Sequence, residues 1–311
     1  MPLDSHVRRF LDKLAAATPR RIGALDIAQR RASLERLMSL AGSPEEVGGV
    51  QERTAPGPAG PLRLRIYTPR DTQASALPGL VYFHGGGLVA GSLDTHDGIC
   101  RSLANSSGCR LVSVDYRLAP EARFPAAVDD ACAATRWTAA HAPDLGIDPG
   151  KLGICGDSAG ATLAAVACAA ICAQGTPKLA FQFLLCPILD YAADTDSWRT
   201  FGDGYLLDRD TLAHDLAHYL GPSDDPSDPM VSPLRAATLE GLPPSCIHTA
   251  ECDPLRDEGV HYAERLGRAG VRVSHRCHPG MVHLFYGLGG VIPQGRLAYR
   301  AVGADIRALV H

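Results

Sequence analysis

The stretch Gly156-Asp157-Ser158-Ala159-Gly160 holds the residue whose surroundings best fit a chemical role, Ser158. It lies between an apolar run that ends at Cys155 and a helical pattern that begins around Ala159. A Gly-x-Ser-x-Gly turn between strand and helix lifts the serine hydroxyl to the top of a sheet, and flanking glycines leave space for so sharp a turn. A serine that caps a helix between two glycines is the plainer alternative. The context predicts a nucleophile, provided that a base and an acid follow it.

The candidate acid is Asp253. A serine hydroxyl becomes a strong nucleophile when a base takes its proton and a carboxylate orients that base. Asp253 directly follows the apolar run Ser245–Thr249, so its carboxylate should lie at the carboxyl end of a strand, beside Ser158. Asp257 is the rival, but it lies one helical turn further on. Asp253 could also cap the following helix, a role that fits catalysis only when its oxygens face the base.

The candidate base is His283, which follows the last predicted strand, Val271–His275, by a short loop. That position again lies at the carboxyl edge of the sheet. His275 and His278 are the rivals, but His275 lies within the strand and His278 precedes Pro279 on the approach to the loop. A histidine taken alone is more often structural than catalytic, so the position after the final strand is what favours His283.

A glycine-rich loop upstream can stabilise an oxyanion. His84-Gly85-Gly86-Gly87 follows the apolar run Gly79–Phe83, and backbone without Cβ atoms can approach a substrate closely. Ala159, directly after the serine, should supply a further N–H group. His84 is expected to fix the loop by hydrogen bonding. A phosphate-binding loop is disfavoured, because neither a Gly-Lys-Ser/Thr ending nor a Gly-x-Gly-x-x-Gly pattern is present.

The other clusters of histidine and cysteine do not predict a metal site. His214 and His218 are four residues apart, but the residue after the first is Asp215 and not the glutamate of the zinc-protease motif. Strand alternation puts His275 and Cys277 on one face and His278 on the other. The ten cysteines contain no Cys-x-x-Cys pair and lie mostly in apolar patterns, which indicates small buried side chains. No metal site is expected.

The composition is that of an ordinary globular protein. The chain has 311 residues, of which 46% are hydrophobic and 21% charged, and its net charge is −4. Nothing in this balance favours a nucleic-acid partner. No apolar stretch is long enough to span a membrane, and the first residues lack the pattern of a secretory signal. A cytoplasmic location is therefore expected.

Short apolar runs alternate with helical patterns from residue 79 onward. Strands that are apolar on both faces and alternate with helices predict a mostly parallel sheet with helices on both sides, an α/β fold. Upstream, helical spacing covers residues 3–16 and 25–40, and strict alternation at Leu62–Tyr67 predicts a strand near a sheet edge. Later helices are predicted at 126–140, 159–173, 208–220, 257–269 and 294–310, and strands at Gly79–Phe83, Leu111–Val114, Leu152–Cys155, Phe181–Cys186, Ser245–Thr249 and Val271–His275.

One long segment interrupts the alternation. Between Cys186 and Ser245 no strand pattern occurs, and an insertion of this length between strands is usually functional. We expect a helical cap made of residues 1–45 and 190–235 over a catalytic domain made of 46–189 and 236–311. The alternative is an additional packing layer without a role in binding.

Taken together, these motifs resemble the bacterial hormone-sensitive lipase family of carboxylesterases, also called family IV. The resemblance runs from about Leu62 to the C-terminus. With Asp157, the motif resembles that of the aspartate-containing Gly-Asp-Ser-Ala-Gly subgroup of that family. The stretches that carry the resemblance are His84-Gly85-Gly86-Gly87, Asp115-Tyr116-Arg117-Leu118-Ala119-Pro120-Glu121, Phe124-Pro125-Ala126-Ala127, Gly156-Asp157-Ser158-Ala159-Gly160, Asp253-Pro254-Leu255-Arg256-Asp257 and His283.

The resemblance implies an α/β-hydrolase fold, no cofactor, and a small-molecule ester as the substrate. It implies that the N–H groups of Gly86, Gly87 and Ala159 form the oxyanion hole. The chain departs from the family at Leu88, where relatives often carry an aromatic residue, so Leu88 is a candidate pocket residue that bears on substrate preference.

The predicted activity is hydrolysis of short to medium acyl esters, because a pocket under a helical cap favours small acyl groups. An amidase-type hydrolase is the alternative, and a non-catalytic receptor on the same fold is a further one. An exposed last strand could pair with a second subunit to give a homodimer.

Overall fold

The computed structural model describes residues 3–17, 25–72 and 74–310. The predicted cap segment 1–45 therefore lies partly outside the described residues. Eight strands form one sheet in the order β1-β2-β4-β3-β5-β6-β7-β8. The strands are β1 Gly49–Gly57, β2 Gly60–Thr68, β3 Leu77–Phe83, β4 Arg110–Val114, β5 Ile147–Asp157, β6 Phe181–Leu185, β7 Ser245–Ala250 and β8 Val273–His278.

The sheet is mostly parallel, as predicted. Strand β2 pairs antiparallel with both β1 and β4, and every later pairing, from β4–β3 to β7–β8, is parallel. Helices pack around it, with α3 against α9 and α4 against α5. The helices of the described residues are α1 Ser5–Ala17, α2 Ile27–Met38, α3 Asp97–Ser107, α4 Ala126–Ala140, α5 Ala159–Gln174, α6 Asp196–Phe201, α7 Arg209–Tyr219, α8 Arg256–Arg268 and α9 Pro293–Val310.

The centre of the molecule is the β5–α5 unit. Residues Leu152–Asp157 of β5 are all buried, as a strand covered on both faces requires. The first ten residues of α5 are also buried, and most are alanine or other small residues, so the helix can lie close to the sheet. Their connection therefore holds Ser158 at the carboxyl edge of a rigid layer.

Strand β1 is not among the predicted elements. Its side chains are mostly exposed and follow no apolar alternation, because it is the outer strand of the sheet. Pairing with β2 through a tight turn at residues 58–59 stabilises it, and that pairing leaves no pattern in the sequence. Helices α3 and α6 are also absent from the predicted elements.

The predicted last strand needs a correction. It begins at Val273 instead of Val271 and continues to His278, because pairing with β7 extends through Ala250 and His278. His278 therefore lies in the strand and not on the approach to the following loop. Strand β8 is also the other edge of the sheet, and residues 274–277 are exposed.

The insertion at residues 187–244, which is fully described, contains no strand, in agreement with the prediction. Its main helix, α7, falls within the predicted range 208–220. Among the helices of the described residues, none combines the length and the apolar character needed to cross a membrane.

Candidate active site

Ser158 occupies a strained turn between β5 and α5. Its backbone angles are φ 52° and ψ −123°, a left-handed conformation that costs energy for a residue with a Cβ atom. The turn needs glycine at position 160, because a Cβ there would collide with the carbonyl oxygens of Phe83 and His84 at the end of β3. The Ser158 N–H donates to Leu185 O at 2.9 Å, which ties the turn to the neighbouring strand β6.

The structure brings Ser158, His283 and Asp253 into one hydrogen-bonded chain. His283 Nε2 lies 2.9 Å from Ser158 Oγ, and His283 Nδ1 lies 2.9 Å from Asp253 Oδ2. The three side chains come from the ends of three elements and are almost fully buried, with 7%, 6% and 0% of Ser158, His283 and Asp253 exposed. The arrangement can pass the hydroxyl proton to the imidazole, whose other nitrogen donates to the carboxylate.

The carboxylate of Asp253 serves two contacts. Oδ2 faces His283, while Oδ1 accepts the backbone N–H of Leu255 at 2.9 Å. Helix α8 begins at Arg256, so Asp253 is not its N-cap residue. The rival Asp257 accepts hydrogen bonds from Ser197 N–H and Arg256 Nε instead, and it supports the start of α6.

The rival histidines lie outside this chain of hydrogen bonds. His275 Nε2 is 2.9 Å from Thr249 Oγ1, and His278 Nε2 is 3.1 Å from His248 Nδ1. Burial, together with the neighbouring charges of His248 and Arg276, lowers the pKa of His278 to about 3. His278 is therefore neutral at ordinary pH and acts in packing.

The loop after β3 leaves two backbone donors available. Gly86 and Gly87 have φ angles of 119° and 67°, and among the described residues no hydrogen bond uses the N–H group of either. Ala159 is the first residue of α5, and the first turn of a helix leaves its N–H groups without partners in the helix. These three groups are the predicted oxyanion donors.

His84 is buried under this loop. Its Nδ1 lies 2.8 Å from Gly85 O, and its ring stacks on Tyr116 with centroids 4.3 Å apart. The Tyr116 hydroxyl donates to the carbonyl oxygen of His84 at 2.7 Å. Burial and the nearby His96 lower the pKa of His84 to about 3, so the ring is neutral. These contacts join His84 to the loop and to Tyr116.

Asp157 joins the nucleophile turn to the glycine loop. Its Oδ1 accepts the N–H of Gly85 at 2.9 Å and a short hydrogen bond from the Tyr82 hydroxyl. Its Oδ2 lies 3.7 Å from His96 Nε2 and 3.4 Å from the Tyr286 hydroxyl. Complete burial alone would raise the pKa of Asp157, but His96 and the hydrogen bond from Tyr82 outweigh it and hold that pKa below its usual value.

Leu88, the candidate pocket residue, is buried, with 1% of its surface exposed. Its φ is 64°, and its carbonyl oxygen accepts the N–H of Ala119 at 2.9 Å. The side chain therefore faces the protein interior in this structure.

Glu258, which was not among the predicted site residues, binds the segment that follows β6. Its Oε2 accepts the N–H groups of Leu189 and Asp190 at 2.8 and 2.9 Å, and its Oε1 accepts Trp198 Nε1 at 2.9 Å. Burial raises the pKa of Glu258 to about 8, although these three donors work against that shift. Its place next to Asp257, in a stretch already singled out, was the available signal.

Among the described residues, two groups of side chains lie close enough together to bind a metal ion. One is Cys186 with Asp253 and His283, in which the acid and the histidine already bond to each other. The other is Cys246 with His248 and Asp305, and there Asp305 is bound by His248 and Arg276. In both groups the carboxylate is already hydrogen-bonded to protein side chains, so we expect these contacts to be favoured over a bound metal ion.

The chain is similar to known hydrolases over most of its length. A family model described as the alpha/beta hydrolase fold matches residues 80–287. Esterase LipI of Mycobacterium tuberculosis is 43% identical over 259 residues, which cover 82% of this chain and 80% of that protein. Ethyl acetate hydrolase of Pseudomonas putida is 38% identical over 278 residues, which cover 87% and 86%.

A solved structure is also similar to this chain, in both fold and sequence. The ester hydrolase EH1AB1 from the metagenome of Lake Arreo, in complex with a derivative of bipyridine phosphonate, superposes with a TM-score of 0.95 at 38% identity and 98% coverage of both chains. The chain therefore belongs to the α/β-hydrolase family of hormone-sensitive lipase-like esterases, family IV. It is a carboxylic ester hydrolase, and the amidase and receptor alternatives are not favoured.

Proposed function

We propose that this carboxylesterase works by acyl transfer through Ser158. The Oγ atom attacks the ester carbonyl carbon while its proton passes to His283 Nε2, and Asp253 stabilises the imidazolium. The negative charge on the carbonyl oxygen is held by the N–H groups of Gly86, Gly87 and Ala159. His283 then gives the proton to the departing alcohol. A water molecule next transfers a proton to His283 and attacks the acyl carbon, and Ser158 Oγ takes that proton back as the acid leaves. The hydrogen-bonded chain from Ser158 through His283 to Asp253 is the observation that carries this proposal.

The test is Ser158→Ala with a short-chain nitrophenyl ester. Loss of the nucleophile should lower kcat by about four orders of magnitude or more. Ser274→Ala, an exposed serine on β8, is the control and should keep full activity. A fluorophosphonate should label the parent protein once and leave the Ser158→Ala variant unlabelled. Turnover near the parent value in Ser158→Ala would refute the assignment.

The proposed substrates are esters with short to medium acyl chains. The relative from Pseudomonas putida is named for a short ester, ethyl acetate, which supports this class. A series of nitrophenyl esters from acetate to palmitate measures it directly. We expect kcat/KM to peak at or below about eight acyl carbons, and a maximum at palmitate would overturn the proposal.

The proposed cap is made of residues 1–45 and 190–235, over a catalytic domain of 46–189 and 236–311. Leu34 of α2 supports a role near the substrate, since a Cβ on Gly86 would lie 3.0 Å from its Cδ2 atom. Leu34→Ala should therefore change the acyl-chain profile and leave labelling of Ser158 intact. An unchanged profile would favour a packing layer.

We assign the chain to the aspartate-containing subgroup on the strength of Asp157, whose carboxylate links the nucleophile turn to Gly85.

A cytoplasmic location is proposed because all ten cysteines are free, as a reducing compartment allows. Cell fractionation tests it, and activity in a secreted fraction would contradict it.

A homodimer through β8 is also proposed. This edge strand is exposed along residues 274–277, and within the described part of the chain it pairs only with β7, so its other edge could add a second copy. Light scattering after size-exclusion chromatography measures the mass. A monomer at about 100 µM would rule the dimer out.

A further inference from the structure

A buried ion pair joins the two parts of the proposed cap. Arg30 of α2 and Asp215 of α7 are 6% and 2% exposed, and they meet in a two-pronged contact. Arg30 Nε lies 3.0 Å from Oδ1 and its NH2 group lies 2.7 Å from Oδ2. His214 Nδ1 also lies 3.0 Å from Oδ1. Removing a charged pair from water to this depth is costly, so we expect its position to have a functional role.

The pair lies directly on the glycine loop. The position that a Cβ on Gly87 would occupy is filled by the carboxylate of Asp215. The N–H of Gly87 is one of the proposed oxyanion donors, so a carboxylate oxygen lies next to the place where negative charge develops. An unpaired carboxylate there would oppose the oxyanion, and the repulsion would be strong because Asp215 is buried and only weakly screened by water.

We propose that Arg30 is an electrostatic positioning residue for ester hydrolysis. Asp215 packs against Gly87 and holds the loop in shape, while the guanidinium of Arg30 holds Asp215 and cancels its charge. The proposal rests on the proposed function, because it assumes that Gly87 helps to bind the oxyanion. It predicts an asymmetry, since removing the cation exposes the oxyanion to a negative charge and removing the anion does not.

The experiment compares kcat and KM of four variants. Arg30→Met should lower kcat about 30-fold or more with little change in KM, because the lost effect acts on the transition state. Arg30→Lys, which keeps the charge, should recover at least about one third of the parent kcat. Asp215→Asn should lower kcat by no more than about threefold, and Arg30→Met/Asp215→Asn should match it because no charge remains.

The control is the pair Arg276 and Asp305 between β8 and α9, which has the same two-pronged geometry far from the glycine loop. Arg276→Met should leave kcat unchanged. Thermal unfolding and stoichiometric labelling by a fluorophosphonate establish that each variant is folded and that Ser158 still reacts. Equal losses in Arg30→Met and Asp215→Asn, with no recovery in the double variant, would mean a purely mechanical contact and overturn the proposal. A kcat of Arg30→Met near the parent value would do so as well. Either result leaves the Ser158→Ala test of the proposed function unaffected.

Discussion

At the scale of single residues, Asp157 shows how the turn and the loop depend on each other. Its carboxylate accepts the N–H of Gly85 and the hydroxyl of Tyr82, so the loop that offers the N–H groups of Gly86 and Gly87 is bound to the residue before the proposed nucleophile. His96 faces the other oxygen at 3.7 Å. A neutral side chain at position 157 would keep the shape and lose the charge.

Asp157→Asn should therefore lower kcat by about 10- to 100-fold with little change in KM, since a hydrogen bond to a charged acceptor contributes about 1.5–3 kcal/mol. Steady-state kinetics with a short-chain ester measures the effect. Tyr286→Phe, which removes the longest of the hydrogen bonds to Asp157, at 3.4 Å, serves as the comparison and should cost less. Equal kcat values for Asp157→Asn and the parent would show that the charge is not needed.

At the scale of elements, Glu258 connects α8 to the insertion. Helix α8 follows the loop of Asp253, and Glu258 binds the N–H groups of Leu189 and Asp190 together with the indole of Trp198 on α6. The same segment contacts the nucleophile turn, because Ile188 N–H donates to Ser158 O at 3.3 Å. One buried side chain thus links the acid loop, the insertion and the turn.

Glu258→Ala should leave three buried donors without partners and create a cavity. We expect the free energy of unfolding, measured by urea titration, to fall by about 3–5 kcal/mol. Glu264→Ala on the exposed face of the same helix is the matched control and should change it by less than about 0.5 kcal/mol. A loss for Glu258→Ala no larger than that of the control would contradict this role.

At the scale of the whole molecule, buried neutral histidines make stability depend on pH. Burial lowers the pKa of both His84 and His278 to about 3, whereas an unfolded histidine titrates near about 6.5. Below pH 6.5 the unfolded state binds protons that the folded state does not. The stability that these two histidines contribute is therefore fully present above that pH and falls as the pH decreases toward 3.

We expect Tm to decrease between pH 6 and pH 5, since each of the two histidines costs about 1.4 kcal/mol for each pH unit below 6.5, and proton binding by Glu258, whose pKa burial raises to about 8, offsets only one of them. Differential scanning calorimetry across this range measures it. His278→Gln should flatten the dependence, while His261→Gln, at an exposed position of α8, should not. A Tm that stays constant from pH 6 to pH 5 would refute the prediction.

Local patterns in the sequence were enough to predict most of the fold. The apolar runs of β5, β6 and β7 and the small-residue helix α5 specify a covered parallel sheet, because burial on both faces leaves no polar positions. Strand β1 could not be predicted in this way, since its stability comes from pairing with β2 and not from its own side chains. The predicted end of β8 was wrong for the same reason, because pairing with β7 determines where the strand ends.

In the candidate site, too, some residues could be predicted from local sequence patterns and others could not. Gly-x-Ser-x-Gly, Asp253 and His283 were identified from the sequence, because each follows a strand and parallel strands bring their carboxyl ends to one edge. The contacts of Arg30 with Asp215, and of Glu258 with Leu189, join residues far apart in the chain, and no local pattern marks them. The sequence by itself determined the class of chemistry, which depends on residue types at strand ends. Only the tertiary structure decided which buried charges surround that chemistry, because electrostatic interactions depend on distances in space and not along the chain.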